Sequence, residues 1–445
     1  MNAADLNPKI WPRSADRNEF GEIVIAGNTS SKLREEFGTP LYVYDADEIY
    51  ARAIEIRTAF AEQQLPCDVH YASKAFLSKA VAKIVSAAGL HLDVASGGEL
   101  TIALAAGVKP EHIAFHGNNK SDSELELAIS KGIGHIIADS PDEISRINRI
   151  ARSHGVVQHI MIRATLGINA ETHDFISTAH EDQKFGLSVT DGSLETAVEL
   201  ALSAKSVELI GLHSHIGSQV LVLPGFIAAA RKLVQQTAIL NEKYGLSISV
   251  LGLGGGFGIA YTDSDNPIGI AEIATALNET VISEAAANQV EITKITVEPG
   301  RYIVGPAGVS LYTVGTIKPV TLASGETRVY VAVDGGMSDN IRTALYDANY
   351  TAVLANRNSS ATKVLSRVVG KHCESGDIVV RDTYLPSDLK PGDIIAVAAT
   401  GAYCRSMSSQ YNGTPRPAVV GISGDQPAIW LRRETYEDLL ALDLG

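Results

Sequence analysis

The sequence predicts an α/β protein, a (β/α)8 TIM barrel with a second, mostly β domain built from both chain ends. Three observations predict it. Eight short apolar runs, most of them followed by a helix-like stretch, fill the middle of the chain. After "EPGRYIVGPAG" the texture changes to β-like runs separated by turns. Two further apolar runs, "EIVIAG" and "LYVYD", precede the first barrel helix. Eight strand–helix units over roughly 250 residues suit a closed barrel; a doubly wound open sheet is the alternative that pattern alone leaves.

In chain order, "DADEIYARAIEIRTAF" reads as an amphipathic helix. The runs "DVHYAS", "LHLDVAS", "HIAFHG" and "GHIIAD" each precede a helical segment. The last is followed by Ser140, Pro141 and Glu143, a capping-box pattern with proline at the first helical position. "QHIMIRA", "VELIGLHSH", "SISVLGLGG" and "KITVEPG" complete the eight. Each is apolar on both faces, as a parallel strand covered by helices must be. Beyond them, "VSLYTVGTIKPV", "TRVYVAVDGG", "DIVVRDTYL", "DIIAVAA" and "PAVVGI" read as strands, with one helix, "DNIRTALYDA". The expected spans are 1–45 for the N-terminal part of the β domain, 46–308 for the barrel and 309–445 for the C-terminal part.

Composition narrows the function. The 445 residues carry a formal net charge of −14, and no Lys/Arg-rich run breaks that balance. Nucleic acid or an anionic membrane needs a basic footprint, so neither is expected as a partner. Cys67, Cys373 and Cys404 are too few and too scattered for a disulfide framework or a zinc cluster. No metal site is expected, and a reducing, cytoplasmic location is the simpler reading. The first residues lack the apolar core of a signal peptide.

Active residues of such barrels sit at the carboxyl ends of the strands. The first strand ends at Lys74, the sixth in "HSHIGSQ", the seventh in "GLGGGFG" and the eighth in "EPGR". A glycine-rich turn lets backbone N–H groups approach an anion, although a tight turn without a ligand reads the same way. Glu298 and Arg301 read either as a surface ion pair or as a carboxylate placed against a heteroaromatic nitrogen with an arginine beside it. His215 reads either as a packed core histidine or as a ring that stacks on a cofactor, and Ser218 offers a hydroxyl. An imine-forming lysine, a phosphate cradle and a carboxylate for a pyridinium together are what pyridoxal phosphate requires.

The ordered set "YASKAF", "HSHIGSQ", "LGGGFG", "EPGR", "HCESGD" and "GAYCRSMSSQYN" resembles the fold-type III pyridoxal-phosphate-dependent decarboxylases. Within them it is similar to the branch that converts meso-2,6-diaminopimelate to L-lysine and CO2. The similarity runs from about residue 36 to about 430. It implies pyridoxal 5'-phosphate as cofactor, a small amino-acid substrate, and a homodimer with shared active sites. It implies that Lys74 carries the cofactor and that Cys373 donates a proton. His215, Ser218, Gly255, Gly256, Glu298, Gly300, Arg301 and Tyr403 then bind the cofactor. Arg301, Arg342, Tyr346, Glu374 and Tyr403 bind the substrate.

Local chemistry agrees. Arg342 and Tyr346 are four apart in a helical segment and share a face. An arginine can hold a distal carboxylate bidentately and Glu374 a distal ammonium; a substrate such as ornithine leaves Arg342 without a partner. Three rivals are weighed. Other basic amino-acid decarboxylases of the fold are disfavoured by "CES" and Arg342. Racemases of similar architecture place an arginine at the pyridine nitrogen, where this chain has Glu298. A non-catalytic cofactor-binding homologue would lack Lys74 or Cys373. The chain departs from the family pattern at His372, where a proline is expected, and at Cys404 and Arg405.

Overall fold

The structure, a computed structural model, describes residues 6–168 and 184–445. They divide into two compact units. The barrel unit comprises Arg52–Gly258 and Pro267–Gly300; the β unit comprises the chain up to Ala51, Ile259–Asn266 and Arg301–Gly445.

Eight strands form the barrel: β1 (Cys67–Ala72), β2 (His91–Val94), β3 (Ile113–Phe115), β4 (His135–Ala138), β5 (Gln158–Thr165), β6 (Val207–His213), β7 (Val250–Gly252) and β8 (Lys294–Val297). All neighbours pair parallel, in the order β1 to β8, and β8 returns to β1 through Ile295–Cys67 and Val297–Val69. The sheet is therefore closed, which sets aside the doubly wound alternative. Burial explains the apolar runs. Side chains of β2, β3, β4 and β8 are buried at nearly every position, because one face meets the barrel interior and the other the helices.

Serines start the helices that follow the first four strands. The side chains of Ser78, Ser96, Ser121 and Ser140 each accept a hydrogen bond from a backbone N–H three residues on. Ser121 and Glu124 form the full reciprocal box. Ser140 forms only half of the one expected, because the Glu143 carboxylate is engaged elsewhere. Its Oε1 accepts from Lys120 Nζ at 2.7 Å, and its Oε2 accepts from the Asp139 N–H at 2.8 Å. Lys120 is 2% exposed, so the pair is a buried one that ties the third strand–helix unit to the fourth.

In the β unit, the strands Ile378–Pro386, Lys363–Val369, Thr327–Val333, Gly308–Thr321, Leu41–Asp45, Ala418–Ser423 and Gln426–Leu431 follow one another across a sheet. Ile394–Val397 pairs with Gly308–Thr321 and with Ala352–Leu354. The early run "LYVYD" lies between strands from the far end of the chain, antiparallel to Gly308–Leu311 and parallel to Ala418–Ile422. The early run "EIVIAG" behaves differently. Ile23–Ile25 joins Asp16–Arg17 and Asn28–Thr29 in a small sheet of its own. Its backbone reaches the segment after Ala352–Leu354 through an isolated Glu22–Asn356 bridge and a 2.7 Å bond from the Ile23 N–H to the Ala355 carbonyl, which is no strand pairing. The helix expected in "DNIRTALYDA" is reduced to Arg342–Tyr346, because Asp347 adopts a left-handed conformation and stops it.

Candidate active site

The carboxyl ends of the barrel strands surround a cavity of about 350 Å³. Lys74, His116, Arg163, His213, His215 and Glu298 are among its lining residues. Lys74 stands exposed in a single 3-10 turn that follows β1. The end of β8 is pressed against that turn. A Cβ on Gly300 would lie 2.9 Å from the Ala72 carbonyl oxygen and 3.0 Å from the Ala75 Cβ, so glycine is what permits the approach. Gly255 works in the same way: a Cβ there would lie 2.1 Å from the Glu298 carbonyl oxygen. Gly256 adopts φ +102°, and its Cβ would strike the Gly217 carbonyl at 2.5 Å. Gly217, at φ +140°, would point a Cβ into open space.

Glu298 is 7% exposed and is bonded to histidines, not to Arg301. Its Oε1 lies 2.9 Å from His213 Nε2 and 3.5 Å from His116 Nε2. His116 also lies 3.8 Å from Asp93. Burial alone would raise the Glu298 carboxyl, but His213 and His116 outweigh it and hold it well below the usual range. Burial raises Asp93 well above that range, and Glu298 adds to the effect. The ring of His215 accepts the Gly255 N–H at Nδ1, 3.2 Å away. That bond leaves the proton of the neutral ring on Nε2. Burial and then Lys74 hold its pKa well down, so the ring is neutral. Ser218 is exposed.

The β unit gathers a second group. Arg301 donates from Nη1 to the Tyr261 hydroxyl, and its guanidinium lies 4.7 Å from the centre of the Tyr403 ring. Arg342 donates from Nη1 to the Tyr350 hydroxyl at 2.6 Å and lies 5.0 Å from the centre of the Tyr261 ring. Tyr261 and Tyr350 meet edge to face at 5.2 Å. Both arginines are thus buried against aromatic faces, which orient a guanidinium without neutralising it. Among the described residues Arg342 makes no salt bridge. Tyr403 has φ +65°, a left-handed conformation of a kind that clusters at binding sites.

Tyr346 does not share the surroundings of Arg342. It is 60% exposed whereas Arg342 is 6% exposed, although both lie in the one-turn helix Arg342–Tyr346. Cys373 is exposed, with its N–H donated to Asn412 Oδ1 at 3.2 Å. Glu374 is exposed too, and its Oε1 accepts from Ser375 and Gly376. The departure at His372 has a local reason. Its backbone N–H donates to Asp377 at 2.7 Å and its ring bonds Ser338 at 2.8 Å, and proline can do neither. Cys404 is buried against Tyr350 and Asn340.

Residues 46–305 match the family model described as the pyridoxal-dependent decarboxylase, pyridoxal binding domain. The diaminopimelate decarboxylase of Mycobacterium tuberculosis is 50% identical over 99% of this chain and 98% of its own. The chain belongs to the pyridoxal-dependent decarboxylases, in the diaminopimelate decarboxylase family. The Bacillus subtilis member is 44% identical over 96% of each chain. The solved diaminopimelate decarboxylase of M. jannaschii in complex with L-lysine superposes with a TM-score of 0.89, at 33% identity, over 97% of this chain and 98% of that one.

The residues present fit the family's cofactor. An amine and a buried, ionised carboxylate line one cavity, and at Gly255, Gly256 and Gly300, beside the strand ends that carry them, a Cβ would strike neighbouring backbone. Ser73 Oγ and His213 Nδ1 are buried polar atoms without a hydrogen-bond partner among the described residues. Sequence reasoning left His116 without a role and did not single out His213, Arg163, Tyr261 or Tyr350. His116 lies just past the carboxyl end of β3, His213 at that of β6 and Arg163 two residues before that of β5, where position alone was the available signal. Nothing local marks Tyr261 or Tyr350.

Proposed function

We propose that this enzyme decarboxylates meso-2,6-diaminopimelate to L-lysine and CO2, the last step of lysine biosynthesis, with pyridoxal 5'-phosphate as cofactor. The observation that carries the reading is Lys74 and an ionised Glu298 on one cavity, in a chain whose 50%-identical relatives are diaminopimelate decarboxylases. When bound, the cofactor supplies an electron-accepting ring for the pair released as the carbon–CO2 bond breaks.

The protein's own groups do the rest. Lys74 holds the cofactor through its amine. Glu298, kept anionic by His213, holds a proton on the ring nitrogen. His215, a neutral imidazole, would hold the cofactor ring by stacking on it. Gly255, Gly256, Gly300 and Arg301 bind the remainder of the cofactor, with Ser218 and Tyr403. Arg342 binds the distal carboxylate, because it is buried, positively charged and without a salt bridge of its own among the described residues. Tyr346 and Glu374 bind the distal end, Glu374 at the ammonium. Cys373 returns a proton from Sγ to the α-carbon, replacing the lost CO2. The exposure of Cys373 and Glu374 suits a homodimer in which the β unit of one chain completes the site of the other, within the cytoplasm. No helix among the described residues is long and apolar enough to cross a membrane.

The test is purified protein with pyridoxal phosphate and either meso-diaminopimelate or ornithine, scored for CO2 and for the amine product. Lysine from diaminopimelate is the expected result. Faster release of CO2 from ornithine refutes the reading.

A further inference from the structure

Toward the amino-terminal end of the barrel strands, a group of polar side chains takes no part in the chemistry above. Asp68 and His70 are two apart on β1 and so share one face of the strand. His91 opens β2 and pairs in register with His70. Each of the three offers one ligand atom, and these atoms all lie within 4.8 Å of one another. His70 is 3% exposed, and its Nδ1 has no hydrogen-bond partner among the described residues. A buried nitrogen left in that state costs free energy unless something satisfies it. The His91 ring stacks on His112 at 4.3 Å, which fixes its plane.

The donor chemistry is that of a borderline metal. Burial lowers His70, and burial followed by His70 lowers His91 to about 4, so both rings are neutral and carry the lone pair that ligation needs. At Asp68, burial pushes the carboxyl up, but the hydrogen bond from Lys294 outweighs it and the group is ionised. Two neutral imidazoles and one carboxylate, with a position left for water, match the ligand sets of zinc.

We propose that Asp68, His70 and His91 bind one divalent transition-metal ion of the zinc class, joining β1 to β2 at the end of the barrel away from Lys74. Lys294 is the built-in competitor. Its Nζ lies 2.9 Å from Asp68 Oδ2, and its side chain is 43% exposed. The ammonium supplies the positive partner of Asp68 and turns to solvent when the ion takes that place. Bonds of about 2.1 Å in a tetrahedron separate ligand atoms by about 3.4 Å, so the three groups close by at most about 1.4 Å, a side-chain movement.

The barrel holds a second trio whose ligand atoms also lie within 4.8 Å of one another, His116, His213 and Glu298, and the experiment must separate the two. Holoenzyme stripped with a chelator is titrated with zinc chloride, and separately with cobalt chloride to read visible absorption. The expected result is one ion per chain and a tetrahedral cobalt spectrum, with thermal stability rising as the ion binds. His91→Asn and Asp68→Asn lose both signals, His213→Gln keeps them, and Lys294→Met binds at least about tenfold more tightly, since one opposing charge next to the ion is gone. If His91→Asn fails to fold, Lys294→Met decides, because tightening arises only when ammonium and metal compete for Asp68. Zinc binding at less than one ion per chain, loss of binding in His213→Gln, or unchanged affinity in Lys294→Met overturns the proposal.

Discussion

Replacing Arg342 by methionine is the sharpest test of how the substrate is chosen. Arg342 is 6% exposed, lies 5.0 Å from the Tyr261 ring centre and donates one hydrogen bond, at 2.6 Å, to Tyr350. Its guanidinium has five N–H donors, so most remain for a ligand. Methionine keeps much of the aliphatic bulk and loses the charge. A charged hydrogen bond in a closed site is worth about 1.5–3 kcal/mol, so kcat/KM for meso-diaminopimelate should fall about tenfold to a hundredfold. A distal carboxylate held equally in the ground and transition states would place the fall chiefly in KM. The Tyr350 hydroxyl also loses a buried partner, so the midpoint of thermal unfolding should drop as well. Arg342→Lys restores the charge without the planar fork and should recover only part of the activity. The assay is steady-state CO2 release, with circular dichroism to confirm the fold. Unchanged kcat/KM in Arg342→Met, with the variant folded, refutes the assignment.

Three further outcomes are expected. Borohydride reduction of the holoenzyme should fix the cofactor to the peptide containing Lys74, and Lys74→Ala should lose the visible cofactor band; label on another peptide would contradict the role. Lys74→Ala and Cys373→Ala should each be nearly inactive alone, yet subunit exchange should restore about a quarter of native activity, since about half the dimers are mixed and each has one intact site; mass-verified exchange without activity places the site within one chain. Asp339 is 2% exposed, and burial raises its carboxyl from 3.8 to about 7 although the Gly336 N–H pulls the other way. The folded state therefore keeps its proton at pH values where the unfolded state releases it, so the contribution of this one group to stability is greatest below about pH 4, declines as pH rises to about 7 and then levels off. Asp339→Asn should remove that decline, and the gap between the two unfolding curves should widen between pH 5 and 7.5; parallel curves would rule it out.

Local chemistry is enough to read much of this protein. A strand covered on both faces must be apolar throughout, so "HIIA" and "KITV" announce a parallel sheet before any coordinates are known. Serines before helices and glycines after strands report backbone needs that arise within a few residues. Lys74 and Glu298 were legible because barrel geometry sends strand ends to one face. Other features depend on distant residues meeting. Glu298 reads from sequence either as a partner for Arg301 three residues on or as a carboxylate for a cofactor nitrogen; that it bonds His213, 85 positions earlier, arises because β6 and β8 close on one lumen. Tyr261 joins Arg301 and Arg342 only because Ile259–Asn266 packs with the β unit. Tyr346 is exposed and Arg342 buried although they are four apart in one helical turn, a difference that spacing alone does not carry. Spacing along a chain encodes helical and strand periods, whereas contacts between distant segments form only when the core brings those segments together, and no local pattern carries them.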